Sequence, residues 1–126
     1  MQFRESRPIY LQIADYVCEK ILLREWKVGD RIPSVRELAV TLEVNPNTVM
    51  RTVEFLQQKE IVINQRGVGL FVSDVAYENA LKYEKDEFME KELPHFFRSL
   101  VLLDIGLEEL EGLLKKYRKK NFPLVK

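Results

Sequence analysis

The chain has 126 residues, room for one small domain and an appendage but not for two full domains, and its 46% hydrophobic and 32% charged content reads as folded rather than disordered. No apolar run approaches the roughly 20 residues of a membrane span and no signal peptide opens the chain, so no membrane partner is expected; the lone Cys18 suits a reducing compartment, and cytoplasm is the expected location. The net charge is zero, with ten basic and ten acidic side chains in residues 1–75 and again in 76–126, so composition alone does not point to nucleic acid and any positive footprint must come from arrangement.

The first helix is predicted from Pro8 to Arg24. Proline suits its start, and Ile9, Ile13, Ala14, Val17, Ile21 and Leu22 trace one apolar face. Trp26 to Asp30 reads as a loop, and Ile32-Pro33 as a brief extended piece. Ser34 and Glu37 then have capping-box spacing: the serine hydroxyl takes a free N–H of the first turn, and the glutamate reaches back to the serine N–H. Leu38, Ala39 and Leu42 give this second helix its inward stripe. After Glu43-Val44, Asn45 reads as a cap and Pro46 as a first helical residue, which begins a third helix ending near Lys59. Val49, Thr52, Val53 and Leu56 should face inward, leaving Asn47, Met50, Arg51 and Glu54 outward. A scaffold helix, a tight turn and a second helix with polar residues turned out is the pattern of a DNA-reading helix-turn-helix. Arg36, Arg51, Lys59 and Arg66 are expected to share one surface, with the acids elsewhere.

Ile61-Val62-Ile63 and Leu70-Phe71-Val72 are β-rich runs on either side of Asn64 to Gly69, a hairpin signal. Three helices followed by a hairpin give the order of a winged helix. From Ala76 the sequence becomes helical and heavily charged. Pro94 should kink or break the helix, Gly106 marks a turn, and a second amphipathic helix closes in KKYRKK, whose charge suits a helix C-terminus. Leu81, Phe88, Phe96, Phe97, Leu100, Leu110, Leu114 and Tyr117 present more apolar surface than such helices hide alone. They must pack on the first domain or on a second copy, and they are read as a dimer contact, because helix-turn-helix proteins commonly bind two half-sites as a two-fold dimer.

The stretch GDRIPSVRELAVTLEVNPNTVMR, preceded by PIYLQIADYV and followed by QRGVGLFV, resembles the GntR family of bacterial transcription regulators over roughly residues 8–73. Larger members carry an effector-binding domain after the reader. Here residues 76–126 follow in a two-helix pattern, which is similar to the YtrA subfamily, whose short helical tail dimerises and whose members often repress neighbouring transporter genes. The resemblance implies a mainly α fold with a small β-hairpin wing: a winged helix-turn-helix in residues 1–75 and a two-helix dimerisation tail in 76–126. It implies a homodimeric regulator, a repressor, on a palindromic double-stranded DNA operator. The DNA-binding set is then Ser34, Arg36, Asn45, Pro46, Asn47, Thr48 and Arg51, with Arg66 and Gly67 at the wing tip entering the minor groove. Where many relatives carry an arginine, this chain has Met50 followed by Arg51, and Arg51 becomes the candidate for that contact.

Plainer readings stand beside these. Arg36 could be a surface arginine paired with Glu37 or Glu43, Asn45 is a cap before it is a phosphate ligand, and Arg66-Gly67 alone is an ordinary turn. His95 and Cys18 are too few for a metal site, Ser34 has no base, and the carboxylates of Glu84 to Glu92 form a solvated face, so neither an enzyme nor a cofactor is expected. Two alternatives remain: a winged helix that binds protein, and a sensor with an unidentified small-molecule effector held by Phe88, Phe96, Phe97 and Tyr117 in the tail.

Overall fold

The computed structural model describes residues 7–123. Residues 1–6 and 124–126, which the sequence reading places at the ends of the two domains, lie outside the described residues. The chain forms two compact units, one ending at Asp86 and one beginning at Glu87.

In the first unit, α1 (Ile9–Leu22) buries Ile13, Ala14, Val17, Cys18 and Ile21. Ile9, expected on that face, is 45% exposed. No side chain caps this helix. Its start is held by Arg7 instead, which donates to Asp15 through Nε (3.1 Å) and Nη2 (3.3 Å) and to the Tyr83 hydroxyl (2.6 Å). The buried Gln12 donates to the Arg7 carbonyl at 2.8 Å.

The capping box forms as its spacing requires. At the start of α2 (Val35–Leu42), Ser34 Oγ accepts from Glu37 N at 3.1 Å, and Glu37 Oε1 accepts from Ser34 N at 3.0 Å. Glu43 ends the helix in the left-handed region, φ 57°, and Val44 N donates to the Ala39 carbonyl. That reversal lets Asn45 start α3 (Pro46–Gln58) at once. Helix α3 buries Val49, Thr52, Val53 and Leu56 and packs on both α1 and α2. Thr52 ties α3 to α1, its hydroxyl donating to the Tyr10 carbonyl at 2.7 Å.

The sheet has three strands, not two. Besides β2 (Val62–Gln65) and β3 (Gly69–Val72), the extended piece before the capping box forms β1 (Arg31–Ile32), and the order is β1-β3-β2, all antiparallel. Ile32, Val62, Leu70 and Val72 point into the core. Reciprocal bonds of Gly29 N to the Val72 carbonyl (3.0 Å) and Val72 N to the Asp30 carbonyl (2.9 Å) extend the β1–β3 ladder into the preceding loop.

The composition change places a boundary at 75/76, whereas the first unit continues through most of α4 (Ala76–Glu87). Ala76 and Ala80, four residues apart on one face, are fully buried, and their small size allows close approach to the core. Asn79 Nδ2 donates to the Lys59 carbonyl at 3.0 Å, and Ser73 Oγ donates to the Glu60 carbonyl at 2.6 Å. Both bonds satisfy backbone at the end of α3, where no helical partner exists.

The second unit begins with a π-helical turn, Phe88–Glu92, followed by α5 (Leu93–Leu102) and α6 (Leu107–Asn121). Pro94, expected to kink or break the helix, has no N–H for the Glu90 carbonyl four residues earlier. The ladder just before it runs in i→i+5 register, with Leu93 N donating to the Phe88 carbonyl. The left-handed residue of the following turn is Asp104, φ 54°, and Gly106 is the extended N-cap of α6. None of the described residues from Glu87 onward is buried. Among the described residues no helix is long and apolar enough to cross a membrane, and no cluster of His, Cys, Asp or Glu could hold a metal ion.

Candidate nucleic-acid interface

The residues that could reach DNA lie on α2, on the first turns of α3 and on the β2–β3 turn. Asn45 caps α3 through its side chain, Oδ1 accepting from Asn47 N at 2.8 Å, so its amide oxygen is committed before any ligand arrives. Pro46 follows at the first helical position, where its missing N–H leaves no gap. Asn47 and Met50 are exposed and Thr48 is half-buried, so the outward face of α3 opens with polar side chains and carries one apolar side chain, Met50, a turn further on.

Arg36 is exposed in the first turn of α2, and among the described residues no carboxylate pairs with it. Glu37 is held by Ser34 instead. The hydrogen bonds from Ser34 keep the Glu37 carboxyl below the usual carboxylate range, with the nearby Arg31 charge assisting. The acid that could have neutralised Arg36 is thus turned back onto the backbone, and Arg36 presents a guanidinium fork suited to guanine O6/N7 or a phosphate.

Arg51 is also exposed, but its guanidinium lies over the Tyr10 ring of α1, 4.1 Å from the centroid. Tyr10 meets Phe55 edge to face (6.3 Å between centroids), and Phe55 meets Tyr83 of α4 in the same way (5.2 Å). This row pre-orients Arg51, and nothing in the local sequence around it announces Tyr10 as its platform. Lys59, expected on the surface of Arg36, Arg51 and Arg66, lies at the far end of α3, about 20 Å of helix from Pro46. Its exposed ammonium faces the Phe55 and Tyr83 rings, 5.7 Å from each centroid.

Arg66 and Gly67 are exposed at the tip of the hairpin. Val68 N closes the turn on the Gln65 carbonyl at 2.9 Å, and Gly67 takes φ +76°, which a side chain would resist. The tip combines a cation with a slim backbone, a shape that fits a minor groove. A cavity of about 280 Å³ also lies in this unit, lined by Ile21, Arg24, Trp26, Lys27, Val28, Val72 and Tyr77; Phe88, Phe96, Phe97 and Tyr117 do not line it.

In the second unit, Phe88, Phe96, Phe97, Leu114 and Tyr117 are exposed, and Leu100 and Leu110 half-buried. Leu81, on α4 in the first unit, is exposed as well. Phe97 at 54% and Tyr117 at 59% exposure leave large apolar surface in water.

A capped scaffold helix, a turn closed by a left-handed residue, a second helix with a free polar face and a glycine-tipped wing define a winged helix-turn-helix protein, a DNA-binding transcription regulator. Residues 9–72 match the bacterial regulatory proteins of the gntR family, and the chain belongs to that family. It is 39% identical over 113 residues to the HTH-type transcriptional regulator YhcF of Bacillus subtilis, across 89% of this chain and 92% of that one. It is 34% identical over 113 residues to the HTH-type transcriptional repressor YtrA of Bacillus subtilis, across 90% and 86% of the two chains. Among solved structures, it is similar to a GntR-family transcriptional regulator of Bacteroides thetaiotaomicron, with 43% identity and a TM-score of 0.68, covering 89% of this chain and 97% of that one. The family and these relatives are transcription regulators, not enzymes.

Proposed function

We propose that the protein is a homodimeric repressor that reads a palindromic operator. The observation that carries this reading is the exposed Arg36, which pairs with no carboxylate among the described residues, beside the open polar start of α3, with the Arg66-Gly67 tip on the same reading unit. The start of α3 enters the major groove, where Asn47 meets a base edge. Arg36 and Arg51 contact phosphates or guanine edges, and the wing approaches the adjacent minor groove. Ser34 and Asn45 position these groups more than they read bases, because their side-chain oxygens cap the two helix starts; Pro46 fixes the first turn of α3, and Thr48 stands beside Asn47 on it.

The dimer reading rests on the unhidden apolar side chains of the second unit. Burying one large apolar side chain contributes about 1.5–3 kcal/mol, and a second copy offers the same surface in return. In this reading residues 1–75 form the reader and residues 76–126 the dimerisation tail, with α4 serving both through buried Ala76 and Ala80 and exposed Leu81. The likeness to a YtrA repressor supports the sign of regulation. Such a protein works in the cytoplasm, on half-sites about 10–10.5 bp apart or a multiple of that spacing.

The test is binding of the full chain to genomic DNA fragments, its own promoter included, beside Arg36→Ala/Arg51→Ala at several salt concentrations. Selective binding that weakens with salt and is lost in the double variant is the expected result. Wild-type binding no tighter to any fragment than to bulk DNA would overturn the proposal.

A further inference from the structure

Arg31 lies outside the two helix starts and the wing tip. It is exposed on β1, opposite Phe71 of β3, with its neighbour Ile32 turned into the core. Gly69 lies two residues along β3 from Phe71, so it shares that outward face. A Cβ built on Gly69 would stand 2.8 Å from Arg31 Nε and 3.3 Å from its Cζ. The guanidinium therefore lies directly over the glycine backbone, in space that any side chain at position 69 would claim. Gly69 is two residues past Gly67 at the wing tip, and its own φ of +148° already favours glycine.

The same cation is close to a second part of the reader. Its charge acts on Glu37 in the first turn of α2, beside Arg36. Arg31 thus stands between the helix-turn-helix and the wing, draped over a stretch of β3 that has no side chain in its way. Among the described residues no carboxylate forms an ion pair with it.

Resting on the DNA-reading proposal above, we infer that Arg31 is a further DNA contact, a phosphate clamp that grips the backbone between the groove entered by α3 and the groove approached by the wing. The ligand is a phosphodiester of the operator strand that separates the two grooves. A guanidinium beside a glycine meets no side chain there, and a phosphate oxygen accepts from its N–H groups without reference to base identity. Gly69 is then a positioning residue: it keeps open the seat in which Arg31 lies.

The test measures operator affinity of the full chain against salt for wild type, Arg31→Gln, Arg31→Lys and Gly69→Ala, with thermal melts of each. Removing one phosphate contact should flatten the plot of log K against log salt by about 0.9 and weaken binding roughly tenfold at low salt. The loss should be equal on matched and single-mismatch operators, and Arg31→Lys should keep the wild-type slope. Gly69→Ala should weaken binding in the same sense, and Arg31→Gln/Gly69→Ala should bind no worse than Arg31→Gln alone. Arg31→Gln with wild-type slope would overturn the inference, whether its affinity is unchanged or falls together with its melting temperature. Failure of the wild type itself to select any fragment would overturn the reading on which the inference rests, and so separates the two.

Discussion

Replacing Thr52 by valine removes one hydroxyl from the seam between α3 and α1 and changes almost nothing in volume. Thr52 is 1% exposed, and its single hydroxyl proton goes to the Tyr10 carbonyl at 2.7 Å rather than to the Thr48 carbonyl at 3.2 Å. Tyr10 lies inside α1, so its carbonyl keeps a helical partner after the change, and no buried acceptor is orphaned. The expected loss is then the net value of one buried hydrogen bond, about 1 kcal/mol. Thr52→Ser keeps the bond and loses a methyl, again about 1 kcal/mol, while Thr52→Ala loses both and should fall by about 2 kcal/mol. A loss of 1 kcal/mol corresponds to roughly 4–8 °C in melting temperature for a unit of this size. The assay is urea unfolding followed by the fluorescence of Trp26. The chain has a single tryptophan, half-buried in the first unit against Tyr16, so it reports on the reader alone. If Thr52→Val matched wild type while Thr52→Ser and Thr52→Ala were equally destabilised, the methyl would account for the whole effect. The cross-helix bond would then contribute nothing.

Ala80→Leu should destabilise the reader by about 1–3 kcal/mol, because the fully buried alanine leaves no room for extra methylenes; the same urea assay reads it. Glu37→Gln keeps the geometry of the box but loses a carboxylate whose folded value lies below its ordinary 4.5, so wild type should be the more stable above that pH. The advantage should vanish as pH falls through the lowered folded value, which paired unfolding curves at neutral and acid pH would show. Burial pushes the Cys18 thiol up, with the Glu84 and Asp15 carboxylates adding to it, so a thiol reagent at mildly alkaline pH should label the protein only when it unfolds. Phe97→Asp should convert the expected dimer to monomer in light scattering and weaken the dimer constant tenfold or more, since at least about 1.5 kcal/mol of apolar burial is lost.

What could be read in advance was what the chain settles over three or four residues. Ser34 and Glu37 find each other within one turn, and Asn45-Pro46 fixes a helix start by its own chemistry, so both signals survive without knowledge of the fold. The inward stripe of α3 follows from spacing in the same way. Ile32-Pro33 was legible only as an extended piece, and the strand is Arg31-Ile32 instead, because a two-residue strand has no periodicity and exists only through its pairing with Phe71 and Leu70. The platform under Arg51 was hidden for a similar reason: Tyr10 sits on another helix, and the contact arises from packing of α1 on α3. The rings beneath Lys59 were hidden likewise, since Tyr83 comes from α4, 24 positions further along the chain. The π-helical turn has no sequence mark of its own beyond Pro94, which predicts a disturbance but not its register.

Helix α4 is fastened to the reader at several points, including Ala76 and Ala80 in the core, Asn79 on the end of α3, and Tyr83 on both Phe55 and Arg7. This has a consequence for anyone wishing to transplant the reader onto a foreign oligomerisation module. A graft made where the composition changes, after Val75, would strip those plugs away and leave a raw apolar scar beside α3. The usable splice site lies inside a continuous helix, beyond Tyr83, so donor and recipient must join helix to helix and share one winding phase.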